Sequence, residues 1–334
     1  KFLHPFALCT MISLQSLRNH ATKSLKPSSK RNAHSVALQL DYYMSPQFAG
    51  IASAVVNQTY VDAGIDLAFL PICPVGLEQE CVRIHQNKSP SSVSVGSVEQ
   101  NIFIPTLFRN PQIKTTAVAA MFKQSPLCIV SLPDSTSNTI GTHEDTVLLM
   151  KRVFPDHEVV ASPRCNKISD LTSGTVGAIQ AYTTTEVPTL RHMGKEPIVT
   201  LMEGHNGAKL GYSQVIFAAD ECLTGGKKEV VQTFCKKTFE GWAHAIENPE
   251  QAVEMVREAR KMLNLDDEEN DHWHSSDDFE LEFVKKCNEA VEKTKKDGSR
   301  YGVIDSSRWS DATKWLLEGK DDISKEFGFD GSVY

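Results

Sequence analysis

No two of the eight cysteines stand in a C-x-x-C pair, so neither a zinc ribbon nor a dithiol redox centre is expected, and most are read as free core thiols. No apolar run reaches 18 residues, which excludes a helical membrane span from the expectation. The signature loops of several catalytic families are missing too: there is no G-x-S-x-G, no Walker A loop, no H-E-x-x-H and no G-x-G-x-x-G. Acidic residues are absent before Asp41, while Lys1, Arg18, Lys23, Lys26, Lys30 and Arg31 precede it. A basic, serine-containing, acid-free leader over residues 1–35 has the composition of a mitochondrial or plastid transit peptide, with Met11 as the start if Lys1 is a fragment end. A disordered basic tail on a cytoplasmic protein is the alternative. The whole chain carries a net −7, so the body behind this leader is more acidic still. No nucleic-acid surface is expected, because no clustered Lys/Arg face remains to replace phosphate counterions.

What is present is a chain of 334 residues with 40% hydrophobic residues, long enough for two lobes. Short apolar runs alternate with helical patterns, the signature of an α/β fold with mainly parallel sheets flanked by helices. Strands are expected at 36–43, 65–72, 92–98, 114–122, 127–132, 157–161, 176–182, 198–202 and 212–219. Ser45 and Pro46 read as helix N-cap and first-turn proline. Leu77, Cys81 and Ile84 form an apolar stripe, and Thr142 with Asp145 reads as a capping box for a helix bearing Val147, Met150 and Phe154. Farther on, Val231, Cys235, Thr238, Trp242 and Ile246 share one helical stripe, and Asn248-Pro249 starts another helix. The acidic run 266–278 reads as a solvated connection, and its His272 and His274 are not expected to hold a metal.

The turn at 133–138 predicts a crossover into a second lobe, and Gly225 and Gly226 predict the return. Lobe 1 is thus expected over 36–132 and 221–334, lobe 2 over 133–220, with a ligand cleft between them. The loops after the strands hold the candidate site residues. Asp41, Tyr42, Tyr43 and Ser45 place a carboxylate and two rings together, and a ring can stack on a flat heterocycle while a carboxylate accepts hydrogen bonds from an amino edge. Gly96 would admit a close ligand beside Glu99 and Gln100. Tyr182, Thr183, Thr184, Thr185 and Glu186 offer hydroxyls and helix-start amides, suited to a phosphate, carboxylate or sulfonate. Thr142 is a further candidate contact, although mainly a cap.

Three segments, Leu40-Asp41-Tyr42-Tyr43-Met44-Ser45-Pro46, Leu171-Thr172-Ser173-Gly174-Thr175-Val176-Gly177-Ala178 and Leu210-Gly211-Tyr212-Ser213-Gln214-Val215-Ile216-Phe217-Ala218, resemble the SsuA-like and thiamine-pyrimidine-synthase superfamily. The resemblance implies a type II periplasmic-binding-protein fold and a small-molecule ligand: a thiamine-type pyrimidine or a related anionic heterocycle, in thiamine biosynthesis or salvage. It makes Tyr42 the stacking aromatic, preceded by Asp41. The alternative it implies is a divergent hydroxymethylpyrimidine phosphate synthase, which uses pyridoxal phosphate, its own histidine and iron. Against that alternative, Val98 stands at the family's lysine position and Ile102 at its histidine. No cysteine lies within 208–212, where the iron-associated motif would fall. No catalytic residue, metal ligand or cofactor is therefore expected. A synthase would need another histidine, such as His85, His143 or His205, near a lysine such as Lys209.

Overall fold

The structure is a computed structural model that describes residues 23–24, 33–163, 166–263, 276–295, 300–318 and 327–334. Nearly all of the basic leader and the His272-Trp273-His274 segment lie outside the described residues. Two sheets carry the fold. The first takes β1 (Lys23–Ser24), β2 (His34–Gln39), β3 (Ile65–Phe69), β4 (Val93–Val98) and β5 (Thr115–Phe122). Its helices on this stretch are α1 (Ala49–Val56), α2 (Thr59–Asp62), α3 (Glu78–Lys88) and α4 (Gln100–Arg109). The second takes β6 (Leu127–Ser131), β7 (Thr139–Thr142), β8 (Glu158–Ala161), β9 (Ala178–Tyr182) and β10 (Ile198–Leu201), with α5 (Val147–Val153), α6 (Lys167–Thr172) and α7 (Glu186–His192) between strands. The chain then returns to the first sheet through β11 (Ser213–Ala219) and finishes with α8 (Gly225–Glu247), α9 (Pro249–Met262), α10 (Asp277–Glu292) and α11 (Ser306–Leu316).

The strand orders are β1-β3-β2-β4-β11-β5 and β10-β6-β9-β7-β8. Both sheets are mixed rather than mainly parallel. β2 pairs parallel with β3 and β4, and β7 with β8 and β9, while β11, β6 and β10 pair antiparallel. The crossovers also lie elsewhere than expected. β6 already belongs to the second sheet and β11 to the first, so the chain crosses at residues 123–126 and returns at 202–212. The turn at 133–138 is a loop between β6 and β7 of the second sheet, and Gly225 and Gly226 open helix α8 after the chain has already returned; turn chemistry marks a reversal of the chain but cannot say which strands pair across it.

Helix α8 confirms the expected stripe, with Val231, Cys235, Thr238 and Trp242 buried. Trp242 lies across Gly50 of α1, where a Cβ would stand 2.3 Å from the indole. In α3 the expected stripe is overturned: Glu78, Gln79, Val82 and Gln86 are buried, and Cys81 and Ile84 only half so. The buried face is polar because it meets polar partners, Gln79 Nε2 donating to Thr115 Oγ1 at 3.1 Å and Cys222 Sγ to Gln86 Oε1 at 3.0 Å. Thr142 is no cap; it lies inside β7, and the following 3-10 turn and α5 have no side-chain cap. Ser45 does precede a 3-10 turn begun by Pro46, but its hydroxyl makes no capping bond. The six cysteines among the described residues are free. Among those residues no helix is long and apolar enough to cross a membrane.

Candidate functional site

A cavity of about 190 Å³ opens between the sheets, walled by residues of both lobes. That is below the roughly 300–1,000 Å³ typical of drug-sized ligands and suits a single-ring metabolite. On the lobe 1 side Asp41 follows β2, and its two oxygens accept from Ser97 Oγ at 3.0 Å and Gln214 Nε2 at 3.1 Å. Gln214 reaches it from β11 with a left-handed backbone (φ 52°), a conformation that costs a non-glycine residue energy and gathers at functional sites. Glu99, at the start of α4, accepts from Ser213 Oγ at 3.0 Å. Tyr42, Ile102 and Phe122 add apolar surface. Behind Asp41 lies Glu78, 1% exposed, with Oε2 accepting from Gly76 N at 2.8 Å and Oε1 buried without a partner. Burial, reinforced by the Asp41 carboxylate, pushes the Glu78 carboxyl up to about 8.

On the lobe 2 side the central strand β9 presents Gln180, whose Oε1 accepts from the hydroxyls of Thr142 and Thr146 and from His143 N at 3.1 Å. The strand ends at Tyr182, and Thr185 leads into α7 at Glu186. Glu186 pairs with Lys167 of α6, the two side chains only 3% and 5% exposed. Its other oxygen accepts from Tyr182 N at 2.8 Å and Thr185 Oγ1 at 2.6 Å. Burial alone would raise this carboxyl. The Lys167 charge and these hydrogen bonds outweigh burial and hold it below the usual carboxylate range.

Residues 153–252 match the family model described as NMT1/THI5 like. The ligand-binding component of an ABC-type import system from Staphylococcus aureus, solved with zinc bound, superposes with a TM-score of 0.55 at 11% identity, over 91% of this chain and 98% of that one. The periplasmic aliphatic sulphonate-binding protein SsuA from Escherichia coli does so with a TM-score of 0.50 at 13% identity, over 73% and 84%. The fold is that of the SsuA-like type II binding proteins. The desulfurization enzyme DSZB shares this SsuA-like fold at 12% identity, with a TM-score of 0.52 over 84% and 91% of the two chains. No curated protein matches.

Of the residues expected at the cleft, Asp41, Tyr42, Glu99, Tyr182, Thr184, Thr185 and Glu186 line the cavity. Tyr43, Ser45, Gly96, Gln100, Thr142 and Thr183 do not. Tyr43 packs edge-on against Tyr42 with ring centres 5.2 Å apart. Gly96 lies inside β4, where a Cβ would come within 2.5 Å of the Phe217 ring, so its small size serves core packing and not ligand approach. Gln100 is fully buried, donating to Trp309 O and accepting from Tyr212 N, both at 3.1 Å. Thr142 stands behind Gln180, and the Thr183 amide donates to Pro126 O at 2.9 Å. Lys167, Gln180, Ser213 and Gln214 also line the cavity, and none was expected there. Gln180 inside the apolar run 178–182 and Gln214 inside 212–219 were local signals; Lys167 offers none, because its significance is its distant partner.

The groups of the synthase do not fit. Val98 is fully buried in the lobe 1 core, and Ile102 presents hydrocarbon to the cavity. Ala208, Leu210 and Tyr212 are buried apolar residues of the return crossover, and among the described residues no three His, Cys, Asp or Glu side chains are grouped to hold a metal ion. His143 shares the cavity with Lys167, but Lys209 pairs with Asp311 at 3.0 Å instead.

Proposed function

We propose that this protein binds a small, flat, polar heterocycle between its lobes, of the thiamine-pyrimidine type. The observation that carries the reading is the cavity between the sheets, where the aromatic residues Tyr42, Phe122 and Tyr182 and the polar residues Asp41, Gln180 and Gln214 come together from both lobes. A ring between aromatic faces gains contact and offset-stacking energy, and an amino-pyrimidine edge matches a carboxylate beside a carboxamide. The NMT1/THI5-like match over 153–252 supports the thiamine connection.

Calorimetry with hydroxymethylpyrimidine, its phosphate and formylaminopyrimidine tests the proposal, with an alkanesulfonate as the competing ligand class. Tyr42→Ala and Asp41→Asn are each expected to weaken pyrimidine binding roughly tenfold or more, the equivalent of one good contact in a desolvated site. Binding of the sulfonate alone would overturn the pyrimidine assignment and leave a binder of other specificity.

An enzymatic reading is favoured by one observation, that His143 and Lys167 line the same cavity. The Lys167 ammonium is engaged by Glu186, which keeps it from acting as a free amine. Incubation with pyridoxal phosphate followed by intact mass separates the readings: a binder keeps its mass, whereas loss of ring mass from His143 would establish turnover.

A further inference from the structure

The segments 123–126 and 202–212 connect the lobes, and one side chain of the C-terminal third holds both. Arg308, in the first turn of α11, donates Nε to Lys123 O at 3.0 Å and Nη2 to Glu203 Oε1 and Gly211 O, each at 3.0 Å. Glu203, 14% exposed, also accepts from Leu210 N at 2.6 Å and Gly211 N at 3.3 Å, so its carboxylate ties the start of the return segment to its end. Gly211 has φ +83°, and a Cβ there would strike Gln100 Oε1 at 2.1 Å, so this path of the backbone is open only to glycine. The Arg308 guanidinium lies 5.5 Å from the centre of the Tyr212 ring, whose hydroxyl accepts from Asp305 N at 2.8 Å.

The same helix is anchored in lobe 1 and reaches lobe 2. Trp309 is fully buried against Phe103 of α4, with ring centres 6.1 Å apart, and its Nε1 donates to Phe327 O at 3.0 Å. At the other end Trp315 packs on the lobe 2 core beside α5, where the Arg152 guanidinium stands 3.8 Å from its ring centre. Arg152 also pairs with Glu318.

We propose that α11 is a brace that sets the angle between the lobes, with Arg308 as its fastening to both connecting segments. Hinge closure is absorbed by backbone rotation in a few connecting residues. A planar guanidinium that binds two such segments at once makes them move together, a task its rigid fork performs and a lysine's single ammonium does not. Opening the cavity then requires the Arg308 contacts to release as a set.

Small-angle scattering and amide exchange test this on the full chain without any ligand, so the result is independent of what the cavity binds. Arg308→Ala is expected to enlarge the radius of gyration and to speed exchange at Leu210, Gly211 and Tyr212 by roughly tenfold or more. Glu203→Gln, which keeps the shape but loses the charge, is expected to shift both readings the same way by less, and it carries the test if Arg308→Ala does not fold. Arg308→Lys should fail to restore wild-type exchange. A folded Arg308→Ala that melts lower yet keeps the wild-type radius and exchange rates would reduce Arg308 to an ordinary stabilising contact and overturn the proposal.

Discussion

In lobe 1, Glu99 stands at the start of α4 and is held by the hydroxyl of Ser213; in lobe 2, Glu186 stands at the start of α7 and is held by the ammonium of Lys167. Each carboxylate sits where a helix N-terminus favours negative charge. Their surroundings differ. Lobe 1 rests on one continuous core that includes Trp242, Phe217 and Phe234, whereas the lobe 2 sheet has a small cluster on each face, around Met150 on one and Leu171 on the other. A neutral hydroxyl donor suffices where a large core already fixes the strands, and its loss leaves a carboxylate that keeps its other contacts. A buried ion pair in a thinly cored lobe is less forgiving, because removing either member leaves an uncompensated charge.

The largest expected effect tests that contrast at its centre. Lys167→Met should destabilise the protein by about 3–5 kcal/mol in urea denaturation, and Glu186→Leu added to it should recover most of the loss, since the stranded charge goes with it. A Lys167→Met protein as stable as wild type would show that the pair does not hold lobe 2. Because the folded Glu186 carboxyl lies below its ordinary value, its contribution should be complete above about pH 4.3 and disappear as the pH falls through the lower folded value.

Glu78 runs the other way. Its folded carboxyl keeps a proton that the unfolded chain releases, so wild-type stability should fall as pH rises from about 4.3 toward the folded value and then level off. Glu78→Gln should remove this slope and be the more stable protein at high pH, by on the order of a few kcal/mol. Parallel slopes for the two proteins across pH 5 to 9 in repeated denaturation curves would refute the buried-acid assignment.

Two milder substitutions probe single hydrogen bonds in each lobe. Gln180→Leu deprives Thr142, Thr146 and the His143 amide of one shared acceptor in lobe 2, at an expected cost of about 1–3 kcal/mol. Ser213→Ala removes one neutral donor from Glu99 in lobe 1 and should cost about 1 kcal/mol or less. Equal thermal shifts for the pair would mean that both lobes fasten their polar groups with the same strength.

Much of the architecture was legible because it is local. Strands β4, β5, β6, β8 and β11 fall within a residue or two of their apolar runs, and the α8 stripe follows the helical period. Helix α4 was hidden by Pro105 in its interior, and β7 by its shortness and its polar start at Thr139. At the site, Asp41, Tyr42 and the turn from Tyr182 to Glu186 were visible as polar and aromatic residues after strands. Gly96 and Gln100 carried the same local signature and proved to serve packing, since whether such a residue faces the cleft or the core depends on what lies across from it.

The α/β class, most strands and the long C-terminal helices can be read along the chain, because backbone hydrogen bonding and the burial of one face impose periods visible over a few residues. Which strands share a sheet, and with that where the chain crosses between lobes, is settled by long-range pairing. So is the meeting of Asp41 with Gln214, of Lys167 with Glu186 and of Arg308 with both crossings. These contacts join residues far apart in the chain, and the energy of a buried charge or hydrogen bond is set by the partner that folding brings to it.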